Sequence, residues 1–169
     1  MTCPAGPGTT RKEPCALPNY PDPHLARAYV AAWRRIHDVI GTRLVTWAWV
    51  VNRTWKSARC HLRARWGTGY VSWVGIDGYL RGRASTFRTV FGPTLRQLRA
   101  FARETVLITE TGVPPGSRQA ATITRLFAAA HAAGLAGLIW FDASAKQRWQ
   151  IDNDPSALAA YRRTARSRK

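Results

Sequence analysis

From Leu25 onward, apolar residues recur at helical spacing, Leu25, Tyr29, Trp33, Ile36 and Ile40, with Arg27, Arg34 and Arg35 mostly on other faces and Gly41 following as a stop. This spacing predicts an amphipathic helix from Leu25 to Ile40. The period then changes. Leu44 to Val51 is β-branched, aromatic and nearly continuous in its hydrophobicity, and it ends at the polar Asn52. Such a run suits a strand buried on both faces, as in parallel sheets. Three shorter apolar runs repeat the pattern: Val71 to Ile76 ending at Asp77, Val106 to Thr109 ending at Glu110, and Leu135 to Phe141 ending at Asp142. Between them the pattern predicts a helix from Ser85 to Arg103 broken at Gly92-Pro93, and another from Ser117 to Ala133 with Ser117 as N-cap. A last helix follows Asp154-Pro155, where Asp caps and Pro fills the first turn.

Alternation of strand and helix argues for a parallel sheet with right-handed crossovers and excludes an all-β or bundle fold. Residues 1 to 24 lack periodicity, are rich in Pro, Gly and Thr, and read as a disordered leader. A single α/β domain is expected over residues 25 to 165, with a basic tail at 166 to 169. The leader holds no apolar stretch long enough for a secretory signal, and no later run approaches a membrane span. Localisation is therefore left open.

Of nine acidic residues, Asp77, Glu110 and Asp142 stand where buried strands finish. Ligands of α/β sheets and barrels bind beyond the carboxyl ends of the strands, so these positions predict one shared site, with Asn52, Tyr79 and Trp140 on its rim. Carboxylates beside aromatic rings suit sugar chemistry, because pyranose faces stack on rings while carboxylates serve as nucleophile, acid or base. Asp77 and Asp142 read equally well as caps of following turns. Glu110 does not: a glutamate between Val106-Leu107-Ile108 and Thr111-Gly112 is an expensive carboxylate unless it has a task. Trp47 and Trp49 read as core, His37 as structural, and His24, His61 and His131 have no triad partner in the sequence.

The net charge of +17 raises a polyanion partner, but Arg supplies nearly all of it and is scattered through the helical segments. No helix-turn-helix, zinc or RNA-recognition pattern supports nucleic acid, and no membrane partner is expected. Neither a phosphate loop nor a dinucleotide fingerprint is present, so no cofactor is expected. Cys3, Cys15 and Cys60 show no metal-ligand or disulfide spacing, and no metal site is expected. The sequon Asn52-Arg53-Thr54 is weak support for glycosylation without an export signal.

Tyr29 to His37, Val45 to Asn52, Tyr70 to Tyr79, Ile108 to Gly112 and Ile139 to Asp142, in that order, resemble glycoside hydrolase family 26, which contains β-mannanases and related endo-glycanases. The resemblance covers about Pro23 to Arg163. It implies a partial (β/α)8 TIM barrel, strands five to eight with their helices. It further implies that Glu110 is the nucleophile of a retaining reaction, that Tyr79 orients it, and that Trp140 is a sugar platform. The family's acid/base lies in a His-Glu motif before the first helix, which this sequence lacks. Relatives approach strand six through a Pro-Gly-Asp-rich loop, where this chain has Arg63 to Gly69. A retaining pair needs two carboxyls about 5 to 5.5 Å apart, so low or no activity is expected of the chain alone. A non-catalytic carbohydrate-binding remnant is the second expectation. Four parallel strands also leave two open edges, which a second copy or another barrel half would cover.

Overall fold

A computed structural model describes residues 23–53, 69–100, 102–144 and 147–166. Residues 1–22 of the proposed leader, the three cysteines, His61 and the stretch 54–68 lie outside the described residues, as do residues 167–169 of the tail; Pro23 and His24, assigned to the leader from the sequence, belong instead to the first helix. Helix α1 spans Pro23–Ile40, followed by β1 (Ala48–Asn52), β2 (Trp73–Asp77), α2 (Phe87–Val90), α3 (Gly92–Arg99), β3 (Thr105–Thr111), α4 (Gln119–Ala132), β4 (Leu138–Trp140) and α5 (Pro155–Arg166). The strands form one sheet in the order β1-β2-β3-β4, every pair parallel. Sequential parallel strands, with helices between β2 and β3 and between β3 and β4, are the arrangement of a partial (β/α)8 barrel.

β1 and β4 fall well short of their hydrophobic runs. Leu44 to Trp47 precede β1 without entering it, although the Trp47 carbonyl accepts from the Ser72 and Trp73 amides. Leu135 and Ala136 belong to the turn out of α4, which Gly134 makes at φ 67°. The helix break falls at Phe91, and α2 begins with a reciprocal cap in which Thr86 and Thr89 satisfy each other's backbone amides. Arg118, not Ser117, holds the N-cap position of α4, without a side-chain cap, because the turn at Gly116 delays the helix by one residue. Asp154 caps α5 as expected, its Oδ1 accepting from the Ser156 and Ala157 amides.

Side chains alternate across each strand, and the alternation assigns the two faces. Val74, Ile76 and Ile108 are fully buried with Leu95, Leu98, Ile123, Leu126, Ala157 and Ala160, so this face of the sheet is the helix-covered one. The register pairs Val50 with Gly75 and Gly75 with Leu107, which puts those residues on the opposite, inner face. That face is open: Val50 is 41% exposed and Ile139 53%. Helix α1 docks through Val30 and Trp33, with the Trp33 indole donating to the Tyr70 carbonyl at 3.0 Å and standing 5.3 Å from Trp47. Tyr29, Ile36 and Ile40, from the stripe that predicted the helix, face solvent.

Candidate active site

Strict alternation would put Glu110 on the same side as Ile108, among the helices. It does not lie there. The β2–β3 register runs regularly from Trp73↔Thr105 to Ile76↔Ile108 and then jumps to Asp77↔Glu110, so Thr109 is an extra residue, a β-bulge at the tip of β3. A bulge sets two residues against one and re-aims the side chains that follow. Thr109 and Glu110 therefore both serve the inner face. The Thr109 hydroxyl donates to Asp77 Oδ1 at 2.7 Å, and Glu110 Oε2 accepts from the Tyr79 hydroxyl at 2.6 Å.

Small residues make room for this pair. A Cβ on Gly75 would stand 2.6 Å from both Thr109 Cγ2 and Oγ1, so only glycine admits the bulged side chain across β2. A Cβ on Gly112 would come within 2.8 Å of the Trp149 ring and 3.2 Å of the Tyr79 ring. Tyr79 is thus seated between β3 and the segment after β4, its ring 4.6 Å from Trp149 and edge-on to Phe141 at 6.0 Å. Beyond Asp77 the chain continues along β3, with the Gly78 amide on the Glu110 carbonyl and the Leu80 amide on the Gly112 carbonyl. Those two bonds fix the phenol relative to the carboxylate it meets.

Charge follows from this packing. Burial raises the Asp77 pKa, the Thr109 hydrogen bond opposes the rise, and the negative charge of Glu110 adds to it. Burial comes first for Tyr79 as well, reinforced by its donation to Glu110 and by the charges of Glu110 and Asp77, which hold the phenol well above its ordinary range. Tyr79 is accordingly a permanent donor at neutral pH. Half-buried Glu110 receives that donation at one oxygen, and its other oxygen accepts no hydrogen bond among the described residues.

The structure brings four of the six sequence-derived residues to one place. Glu110, Tyr79 and Asp77 are linked as described, and Asn52 is the register partner of Asp77 at the tip of β1, where the Arg53 amide donates to the Asp77 carbonyl. Two residues go elsewhere. Trp140 lies on the helix-covered face, 8% exposed, its indole donating to the Trp149 carbonyl at 2.9 Å and its ring edge-on to Tyr161. A side chain so enclosed offers no face to a sugar, and the platform role is corrected to a core role. Asp142 accepts from the Ile151 amide at 2.8 Å, so it closes the loop after β4, the turn-holding alternative named for it above; burial raises the Tyr161 pKa, and the Asp142 charge adds to that rise. Thr109, Trp149, Phe141 and Arg81 were not singled out from the sequence. Arg81 lies over the rings of Tyr79 and Trp149, 5.6 Å from each centroid.

His37 is structural, packed against Trp47 and Tyr70. Among the described residues no group of three His, Cys, Asp or Glu could hold a metal ion, and no helix is long and apolar enough to cross a membrane.

Comparison with known proteins bears on this site. No family model matches the chain. Its sequence is 26% identical over 147 residues to Endoglucanase H of Acetivibrio thermocellus, a match covering 79% of this chain and 16% of that protein. Its fold is similar to a GH128 (subgroup II) endo-β-1,3-glucanase from Sorangium cellulosum, with a TM-score of 0.57 at 16% identity over 80% of this chain and 61% of that one. The chain spans less than two thirds of the length of either. Its four parallel strands and their helices match part of the second enzyme's fold, and its sequence is distantly related to a glycoside hydrolase.

Proposed function

We propose that this chain is a glycoside hydrolase-like domain, residues 25 to 165, in which Glu110 attacks the anomeric carbon of a β-linked polysaccharide. The observation that carries it is the Tyr79 hydroxyl held 2.6 Å from Glu110 Oε2, at the carboxyl end of the sheet where α/β barrels keep their catalytic groups. Glu110 forms an ester bond to the anomeric carbon as the bond to the leaving group breaks, and water later opens the ester, giving retention. Tyr79 holds one carboxylate oxygen so that the other faces the sugar. Sequence motifs favour a family 26-like mannanase. The names of the two compared enzymes favour glucan as the polymer.

The proton donor of that reaction is not supplied by a second glutamate of the described residues. Glu104, the other one, precedes β3 at the opposite end of the strand. Slow turnover of unactivated polysaccharide by this chain is the expectation. An activated leaving group departs without protonation, so the Glu110 step can be tested by itself. Incubation with fluorosugars of the gluco and manno series bearing an activated leaving group should add one sugar mass to the Glu110 peptide. Glu110→Gln should abolish it. A folded protein that binds these sugars but shows no adduct at Glu110 would favour a non-catalytic carbohydrate-binding remnant and end the nucleophile assignment.

A further inference from the structure

We infer that the rim of this cleft selects glycans bearing anionic groups, uronate carboxylates or sulfates, and that Arg81 grips the anionic group nearest the scissile bond. The inference deepens the proposed hydrolase function and rests on it for the location of that bond. Arg81 is exposed, yet its guanidinium is placed over two rings at once, Tyr79 and Trp149, both already packed against Gly112. A guanidinium held over aromatic rings by cation–π attraction does not use up its N–H donors, which stay available to another partner. Among the described residues Arg81 forms no hydrogen bond and no ion pair. Its place is fixed by the same tyrosine whose hydroxyl holds Glu110, so a cation with open donors stands one aromatic ring away from the nucleophile.

The surroundings repeat the sign. Arg53 follows the tip of β1, Arg83 shares the loop after β2 with Arg81, and Arg148 precedes Trp149 in the segment after β4; all three are exposed and form no ion pair among the described residues. Against these four cations the same end of the sheet carries Asp77, Glu110 and Asp142, with Asp152 and Asp154 later in the segment after β4, Asp154 engaged as the cap of α5. A neutral glycan gains little from arginines with open donors. An acidic one gains bidentate, charge-assisted contacts, and Arg81 is not spent on an ion pair with either Asp77 or Glu110. With a net charge of +17 the field at this rim is not cancelled by the remainder of the chain.

The test is calorimetric titration of the full chain with neutral β-glucan and β-mannan oligosaccharides, and with uronate-bearing and sulfated oligosaccharides of equal length, at low and high salt. The acidic series should bind at least about tenfold more tightly than the neutral one, the advantage shrinking with salt. Preference for the uronate or the sulfate arm identifies which anion the rim accepts. Arg81→Gln should remove most of that advantage, the acidic series losing more affinity than the neutral one. Arg125→Gln, an equal charge change on the outer helix α4, should not. Equal affinity for neutral and acidic glycans, equal losses in the two variants, or tighter binding of duplex DNA than of any glycan would overturn the inference. An acidic preference that depends on Arg81, found without any adduct at Glu110, would sustain the binding site and remove only the nucleophile.

Discussion

Replacing Gly75 by alanine tests the geometry on which the cleft depends. The added Cβ would lie 2.6 Å from two atoms of Thr109, where ordinary contact begins at 3.4 Å, so the side chain must retreat by 0.8 Å. Val50 Cγ2, 2.8 Å away on the other side, blocks an escape toward β1. Overpacking of this kind costs about 1–3 kcal/mol, and about 2–4 °C per kcal/mol for a domain of this size gives a melting temperature lower by about 2–12 °C. Thr109 cannot move that far and keep its 2.7 Å bond to Asp77, so labelling of Glu110 should fall with stability. Thermal unfolding by circular dichroism, run with the adduct assay, measures both. Thr109→Ala removes the two clashing atoms, and the Gly75→Ala/Thr109→Ala double variant should be more stable than the sum of the single effects by about 0.5–3 kcal/mol. Additive losses in that cycle would mean that Gly75 does not accommodate Thr109, and the account of the bulge would fail.

Three further outcomes follow from contacts described above. Tyr79→Phe should slow Glu110 labelling about ten- to hundredfold, the worth of a charge-assisted hydrogen bond, while the melting temperature changes little; an unchanged rate would remove Tyr79 from the orienting role. Asp77 has a raised pKa, so folding takes up its proton more readily than the unfolded chain does, a contribution present below the unfolded value of 3.8 and lost as pH rises through the folded value. Asp77→Asn, which can still accept from Thr109, should therefore gain stability relative to the parent at neutral pH and lose that gain in acid, read by denaturant titration across pH. Asp154 is shifted the other way, lowered first by its bond from the Ser156 hydroxyl, so the deficit of Asp154→Ala should be full above the unfolded value and vanish as pH falls through the folded one.

The chain's periodicity carried the architecture because parallel strands buried on one face by helices, and on the other by a barrel interior, leave uninterrupted apolar runs. Each of the four runs holds a strand, and the order of elements matches. Glu110 stood out because a carboxylate at the end of such a run has no cheap structural use. What the sequence could not display was parity. The Thr109 bulge depends on a register set by Gly75 and Asp77 in another strand, and nothing local to Val106–Gly112 announces it. Trp140 misled for the same reason: it follows Ile139 by one position, and one position decides between cleft and core. Helix α1 was legible as a helix but not in its docking, since Trp33 turns toward the Tyr70 carbonyl and leaves Ile36 and Ile40 outside. Trp149 and Arg81 meet Tyr79 only through the loop after β4, beyond the reach of any spacing rule.

Because the polar tip of β3 owes its orientation to a single supernumerary residue, the strand behaves as a two-position selector. Pairing Thr109 regularly with Asp77, without the bulge, would restore even alternation at full length and swing residue 110 through half a turn, driving a carboxylate toward the helix-covered face that holds Ile108. Chemistry and folding would be lost together, so the bulge itself is constrained more tightly than the residues around it. Straightening the strand spares Glu110 only where Thr109 is removed with it, for the carboxylate then follows Ile108 directly and keeps to the inner face.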